Sequence, residues 1–70
     1  MGITELGHAL RERRKSLRIT QRELATYAGI SHNTVYKIER GQGNPTLAVL
    51  FKLLDVLGFE LGVGVRRMSA

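Results

Sequence analysis

Apolar residues recur three and four positions apart through most of the chain, which is the spacing that places side chains on one face of an α-helix. This pattern predicts four helical segments. The first runs from about Thr4, a predicted N-cap, to Leu17, and the fourth covers residues 47–57 between Thr46 and Gly58. Residues 59–67 instead alternate between apolar and other side chains, which predicts a β-strand.

Local signals bound the second and third helices. In the stretch TQRE, the Thr20 hydroxyl and the Glu23 side chain each accept a hydrogen bond from the other residue's backbone N–H, forming a capping box. Gly29 is predicted to end the second helix in the left-handed conformation, because glycine adopts a positive φ without steric cost. Ser31 is a predicted N-cap for the third helix, and Gly41 closes that helix.

The short connection between these two helices predicts that they cross steeply. A small residue is needed where the helices approach, and Ala25 is in place for this role. Ile30 in the turn, together with Val35 and Ile38, is predicted to hold the third helix against the first two. The spacing therefore predicts a helix-turn-helix.

The composition indicates the class of binding partner and argues against a metal site and enzymatic activity. The 70 residues contain 11 Lys and Arg against 6 Asp and Glu, a formal charge of +5, which favours nucleic acid, with an anionic membrane surface as the alternative. The chain has no cysteine, and His8 and His32 lie far apart, so we expect no disulfide, metal or cofactor. No paired acid and base or activated nucleophile is evident, and we expect no enzymatic activity.

The motifs TQRELA, GIS, IERG and NPTL, in register over roughly residues 6–58, resemble those of the Xre, or lambda-repressor-like, DNA-binding family. The resemblance implies a mainly α, four-helix domain at residues 1–58, and a packed helical bundle without this function is the alternative. It also implies a partly buried ion pair between Arg14 and Glu39. Arg18 departs from the pattern, because many members have Gly there. If the backbone is left-handed there, Arg18 is strained. Arg18 also adds a positive charge near the duplex.

In a helix-turn-helix, the N-terminal residues of the second helix of the unit face base edges in the major groove. In this chain, that helix is the third one. The predicted base-reading residues are His32, Asn33, Tyr36 and Lys37. An Asn side chain suits adenine and a Lys side chain suits guanine, although such residues on a helix surface are also common without this role. Residues at the ends of the second, third and fourth helices are predicted to contact phosphate, in part by the family resemblance: Thr20, Gln21, Arg22, Ser31, Arg40, Asn44 and Thr46.

The fourth helix is apolar on nearly all sides, more than packing on a three-helix core requires. A lone tail strand also lacks a partner, so we expect two tails to pair between subunits of a homodimer, with a disordered tail as the alternative. Residues 59–70 then form a dimerisation strand and tail. Such a dimer suits a palindromic operator in double-stranded DNA. The predicted dimerisation residues are Phe51, Leu54, Phe59, Leu61, Val63 and Val65.

The tail LGFELGVGVRR and the short length resemble the HipB-type antitoxins. This resemblance implies a cytoplasmic, nucleoid-associated repressor that regulates its own operon and holds a kinase-type toxin. The start of the chain lacks the apolar region of a signal peptide, and no apolar run reaches the roughly 20 residues that span a membrane. The main hypothesis is that the protein is a dimeric repressor, and its narrower form is that this repressor is an autoregulatory antitoxin. The alternative is a protein-interaction module, toxin-neutralising or bridging, with only nonspecific DNA affinity.

Overall fold

A computed structural model describes residues 2–65, which form four helices. These are α1 (Ile3–Ser16), α2 (Gln21–Ala28), α3 (His32–Glu39) and α4 (Leu47–Leu57). The number and order of the predicted helices are confirmed. Residues 59–65 have no regular secondary structure in the single chain, and the last two residues of the predicted strand lie outside the described part. Pairing of the tail between two subunits therefore stays a prediction.

The predicted N-cap of α1 is wrong. The cap is Gly2, two residues before Thr4, and the helix begins at Ile3. The Glu5 carboxylate accepts a hydrogen bond from the Gly2 N–H at 3.4 Å. Glu5 lies three residues beyond Gly2, so it satisfies this N–H without any hydroxyl at the cap. Thr4 instead lies in the first turn beside Gly41, where an added Cβ would be 2.8 Å from the Thr4 hydroxyl.

The other three helix starts form as predicted. The Thr20 hydroxyl accepts from the Glu23 N–H at 3.0 Å, and the Glu23 carboxylate accepts from the Thr20 N–H at 2.9 Å. Hydroxyls cap α3 and α4 in the same way. The Ser31 hydroxyl accepts from the Thr34 N–H at 3.1 Å, and the Thr46 hydroxyl accepts from the Val49 N–H at 3.2 Å. Each cap satisfies an N–H group that has no partner within its helix.

A single core joins all four helices. Its most buried side chains come one or more from each helix, and among them Leu10, Leu24, Val35, Leu53 and Leu57 are almost completely inaccessible. Ala25 is also buried, and Ile30 packs at the edge of the core, as the spacing predicts. Gly29 ends α2 with φ at +69°, which allows the sharp turn into α3.

The contact between α1 and α3 depends on a glycine that the sequence pattern does not single out. An added Cβ at Gly7 would collide with the carbonyl oxygen of Ile38 and lie 3.0 Å from that of Glu39. These are backbone atoms, so no side-chain rotation relieves the contact. Gly7 therefore sets how closely α3 lies against α1.

Candidate nucleic-acid interface

One side of α3 packs on the core, and the other side presents polar residues to solvent. Val35 and Ile38 are buried on the inner side. The four predicted base-reading residues lie on the outer side at positions one, two, five and six of the helix, where His32 is half-buried and the others are exposed: His32, Asn33, Tyr36 and Lys37. The structure therefore brings the predicted base-reading residues together on one accessible surface.

A buried ion pair fixes this helix against α1. The Nε of Arg14 donates to Oε2 of Glu39 at 2.7 Å, and its Nη2 donates to Oε1 at 3.0 Å. The third donor, Nη1, reaches the carbonyl oxygen of Ile19 at 2.9 Å. The ion pair predicted from the family resemblance is confirmed, and its two-pronged geometry fixes direction as well as distance.

Gln21 extends this network from the ion pair to the base-reading surface. Its Nε2 donates to Oε1 of Glu39 at 3.0 Å, and its Oε1 lies 3.2 Å from Nε2 of His32. An amide oxygen only accepts, so Nε2 of His32 carries the hydrogen and Nδ1 is the nitrogen left for a ligand. Gln21, which is predicted to contact phosphate, thus has an intramolecular role for its side chain.

The remaining predicted phosphate contacts are exposed and chemically suited to that role. The hydroxyls of Thr20, Ser31 and Thr46 accept from backbone N–H groups, and a hydroxyl that accepts can still donate its own hydrogen. At Ser31 a second partner is already present, because its Oγ lies 2.7 Å from the Thr34 hydroxyl. Three further candidates have exposed side chains on or beside α2 and α3: Arg22, Arg40 and Asn44.

Arg40 makes a contact that the sequence analysis missed. Its guanidinium carbon lies 5.3 Å from the centre of the Tyr36 ring, within the range of a cation–π interaction. Arg40 directly follows the last residue of α3 and lies four positions after Tyr36, the spacing that brings helical side chains into contact. This contact places a positive charge beside the base-reading surface.

An open groove of about 560 Å³ lies between the end of α1 and the start of α2. We call it the α1–α2 groove, and its lining residues are Arg14, Lys15, Arg18, Ile19, Thr20, Gln21, Arg22 and His32. Lys15 is absent from the predicted phosphate contacts, and Arg18 is expected only to add charge near the duplex. Their three-residue spacing is the signal in the sequence that could have linked them.

The predicted dimerisation residues fall into two groups. Leu54 belongs to the core of the single chain with 8% of its surface exposed, whereas Phe51, at 51%, faces solvent. In the tail, Phe59 and Leu61 line an apolar groove of about 350 Å³ with residues of α1 and α4. Val63 and Val65 are almost fully exposed. The exposed apolar residues of α4 and the tail form a surface, which we call the α4–tail surface: Phe51, Phe59, Leu61, Val63 and Val65.

Arg13 holds the tail against α1, another contact that the sequence pattern does not reveal. Its Nε donates to the carbonyl oxygen of Leu57 at 2.8 Å, and its guanidinium lies 5.8 Å from the centre of the Phe59 ring. Both partners lie more than forty residues away in the sequence, so no local spacing predicts them. Arg13 thereby fixes the direction in which the chain leaves α4.

The described part of the chain shows neither a metal-holding cluster nor a membrane-spanning helix. Across residues 2–65, no three His, Cys, Asp or Glu side chains are grouped so that they could hold a metal ion. None of the helices within the same residues is both long enough and apolar enough to cross a membrane.

Comparison with known proteins supports the family assignment. The sequence model of the helix-turn-helix family matches residues 10–63. An HTH-type transcriptional regulator of Haemophilus influenzae is 42% identical over 50 residues, covering 71% of this chain and 51% of the relative. The Bacillus subtilis regulator RghRB is 43% identical over 56 residues, covering 79% and 40%. A regulator of Methanococcus maripaludis aligns over 90% of this chain, which spans only 19% of that relative.

Two solved structures have the same fold. The restriction-modification controller protein C.AhdI from Aeromonas hydrophila has a TM-score of 0.79 at 34% identity, covering 83% of this chain and 88% of that chain. A chain in the HipA–HipB–O2–O3 complex has a TM-score of 0.85 at 30% identity, covering 96% and 94%. The protein belongs to the Xre-like helix-turn-helix family of DNA-binding transcriptional regulators, which confirms the family predicted from its motifs.

Proposed function

We propose that the protein is a dimeric transcriptional repressor that binds a palindromic operator through α3. The observation that carries this proposal is the accessible polar surface of α3, held by a hydrogen-bonded network that joins three helices. Asn33 and Lys37 are exposed side chains whose donors and acceptors match adenine and guanine in the major groove. A fixed helix with such side chains suits recognition of one base sequence.

Positive charge and helix ends support affinity for the DNA backbone. The chain has a formal charge of +5, and hydroxyls with exposed positions lie at the starts of α2, α3 and α4. Phosphate contacts contribute most of the affinity in such complexes and make it fall as salt rises. In this proposal, Thr20, Arg22, Ser31, Asn44 and Thr46 contact phosphate and set the position of α3 in the groove.

The α4–tail surface supports the dimeric part of the proposal. Phe51, Leu61 and Val63 expose more than half of their surface to solvent, and burial of such side chains drives association. In the proposed dimer, residues 59–65 pair with the same residues of a second copy, which satisfies backbone groups that have no ladder partner in one chain. A two-fold dimer presents two copies of α3 to a symmetric operator.

Selection from a random pool of duplexes at near-physiological salt tests this function. We expect enrichment of a two-fold symmetric motif whose half-sites lie about one turn of DNA apart. A chain ending at Gly58 should sediment as a monomer and enrich the motif weakly. Binding that fades with salt and enriches no motif would contradict the proposal and favour the protein-interaction module.

A narrower function, the autoregulatory antitoxin of a toxin–antitoxin pair, has its own support. The chain matched in the HipA–HipB–O2–O3 complex aligns with 96% of this protein, so the likeness extends beyond α4 into the tail. In this form of the proposal, the protein also holds a kinase-type toxin. When a toxic kinase encoded beside its gene stops cell growth, expression of this protein together with the kinase should restore growth. Failure of the wild-type protein to relieve that toxicity would contradict the antitoxin function and leave the repressor intact.

A further inference from the structure

We propose that Lys15 and Arg18 form a further contact with the DNA backbone, outside the helix-turn-helix unit. The partner is a phosphodiester group of the duplex that flanks the half-site, bound in the α1–α2 groove. This inference rests on the proposed function, because it assumes that α3 occupies the major groove. It assigns a binding role to the end of α1, which otherwise only packs against α3 and α4.

The backbone of Arg18 is the first observation. Its φ is +58°, and it is the single non-glycine residue with a positive φ between residues 2 and 65. Side chains other than glycine are strained in this conformation, and such strain persists where the surrounding structure enforces it. Strain of this kind is concentrated at functional sites, so the presence of Arg here points to a role for its side chain.

The turn around Arg18 is held on both sides. The Arg18 N–H donates to the carbonyl oxygen of Lys15 at 2.9 Å, and the Ile19 N–H donates to that of Arg14 at 3.3 Å. The Ile19 carbonyl oxygen in turn accepts from Nη1 of Arg14 at 2.9 Å. The network that fixes α3 therefore fixes this turn too, so Arg18 keeps its position relative to the base-reading surface.

The charges of the groove are the second observation. Arg14 is neutralised by Glu39, but the exposed groups of Lys15, Arg18 and Arg22 make no ion pair with an acidic residue among residues 2–65. The carboxylate of Glu23 is close by and already accepts from the Thr20 N–H. Three cations around an open groove at the start of a helix form a surface suited to an anion.

The geometry also sets where the anion comes from. His32, the first residue of α3, lines the groove together with Lys15, so the groove reaches the start of α3. A duplex whose major groove receives α3 extends past this edge, because its phosphates follow each other along both strands. The phosphate at this edge belongs to the flank of the half-site, and its contact carries no base preference.

Two substitutions at one position test whether the charge of Arg18 contacts the DNA backbone. Arg18→Gly removes the charge and the strain, whereas Arg18→Lys keeps both. Operator binding is measured across a series of salt concentrations, and urea unfolding is measured for each variant. For Arg18→Gly, we expect the slope of log K against log salt to become shallower by about 0.9 per subunit, since one phosphate contact is lost. Arg18→Lys should keep the wild-type slope.

The same pair shows that any loss of binding is not a loss of folding. Arg18→Gly should unfold at the same urea concentration as the wild type or a higher one, because glycine accepts the positive φ. Lys15→Ala, a change that favours the helix, should also make the slope shallower. Replacing flanking phosphates by neutral methylphosphonates should weaken the wild type at one position per half-site. It should weaken Arg18→Gly less at that position, because only Lys15 still contacts that phosphate.

The results distinguish this inference from the function on which it depends. An enriched wild-type operator together with an unchanged salt slope for Arg18→Gly would overturn the backbone contact alone. An equal loss of slope for Arg18→Lys would also overturn it, since that variant keeps the charge. Absence of any operator for the wild type would overturn the proposed function and this inference together.

Discussion

The region between α1 and α3 and the α4–tail surface differ in how far their side chains are satisfied within one chain. Between α1 and α3, a buried Arg and Glu satisfy each other, and Gln21 and His32 continue the same network. At α4 and residues 59–65, the exposed side chains include Phe51 and Leu61. In the first region the buried polar groups are satisfied within one chain, whereas the second leaves apolar area that a partner would cover. The comparison shows one region that orients a helix and another that fits the contact of the proposed dimer.

The largest expected effect comes from removing one member of the buried ion pair. Glu39→Leu leaves the Arg14 charge buried without a partner, and we expect the free energy of unfolding to fall by about 3–5 kcal/mol. Chemical denaturation followed by circular dichroism measures this. The double variant Arg14→Met with Glu39→Leu should recover most of the loss, because an apolar pair needs no compensating charge. Equal stability of Glu39→Leu and the wild type would show that the network does not support the fold.

The next effect concerns the approach of α1 to α3. Gly7→Ala places a methyl group against the backbone of Ile38, and overpacking of this kind costs about 1–3 kcal/mol. We expect a value near the upper end, because a carbonyl group cannot rotate away. His8→Ala is the control, because His8 is exposed on the same helix. Thermal unfolding compares the two, and equal melting temperatures would contradict the close contact.

A smaller effect tests the surface that the network supports. Asn33→Ala should reduce discrimination at one base pair of each half-site by about 1–3 kcal/mol and leave the fold unchanged. Arg22→Ala is the comparison, because loss of a phosphate contact weakens all sequences alike. Competition binding with single-base operator variants measures both. A uniform loss for Asn33→Ala would remove this residue from the base-reading set.

The smallest effect tests the α4–tail surface. Phe51→Ala should weaken dimerisation by about 1 kcal/mol per subunit, since the ring is already half-buried in one chain. Tyr27→Ala is a matched control, because this exposed aromatic residue of α2 lies outside the α4–tail surface. Analytical ultracentrifugation over a range of concentrations gives both dissociation constants. A stronger effect from Tyr27→Ala would place the interface elsewhere.

Local features of the fold could be predicted from the sequence. The starts of α2, α3 and α4 follow from hydroxyl residues whose partner N–H lies three positions later, so a short stretch contains the whole interaction. The start of α1 was missed, because its cap is a glycine without a hydroxyl. The left-handed conformation of Arg18 was anticipated only through the family resemblance.

Contacts between distant residues could not be predicted in the same way. Gly7 looks like any glycine until α3 is placed against it, and the reach of Arg13 to Leu57 depends on how α1 and α4 cross. At the candidate interface, the exposed residues of α3 follow from helical spacing alone. The link from His32 through Gln21 required three helices in their final positions.

That link has a consequence for retargeting the protein to another DNA sequence. Asn33 and Lys37 are exposed, and the hydrogen bonds found within residues 2–65 do not involve their side chains. His32, by contrast, shares a hydrogen bond with Gln21, whose amide also holds Glu39. A library that varies positions 33 and 37 should therefore yield new operators at constant stability. Variation at position 32 would change recognition and folding together, so this position is better kept.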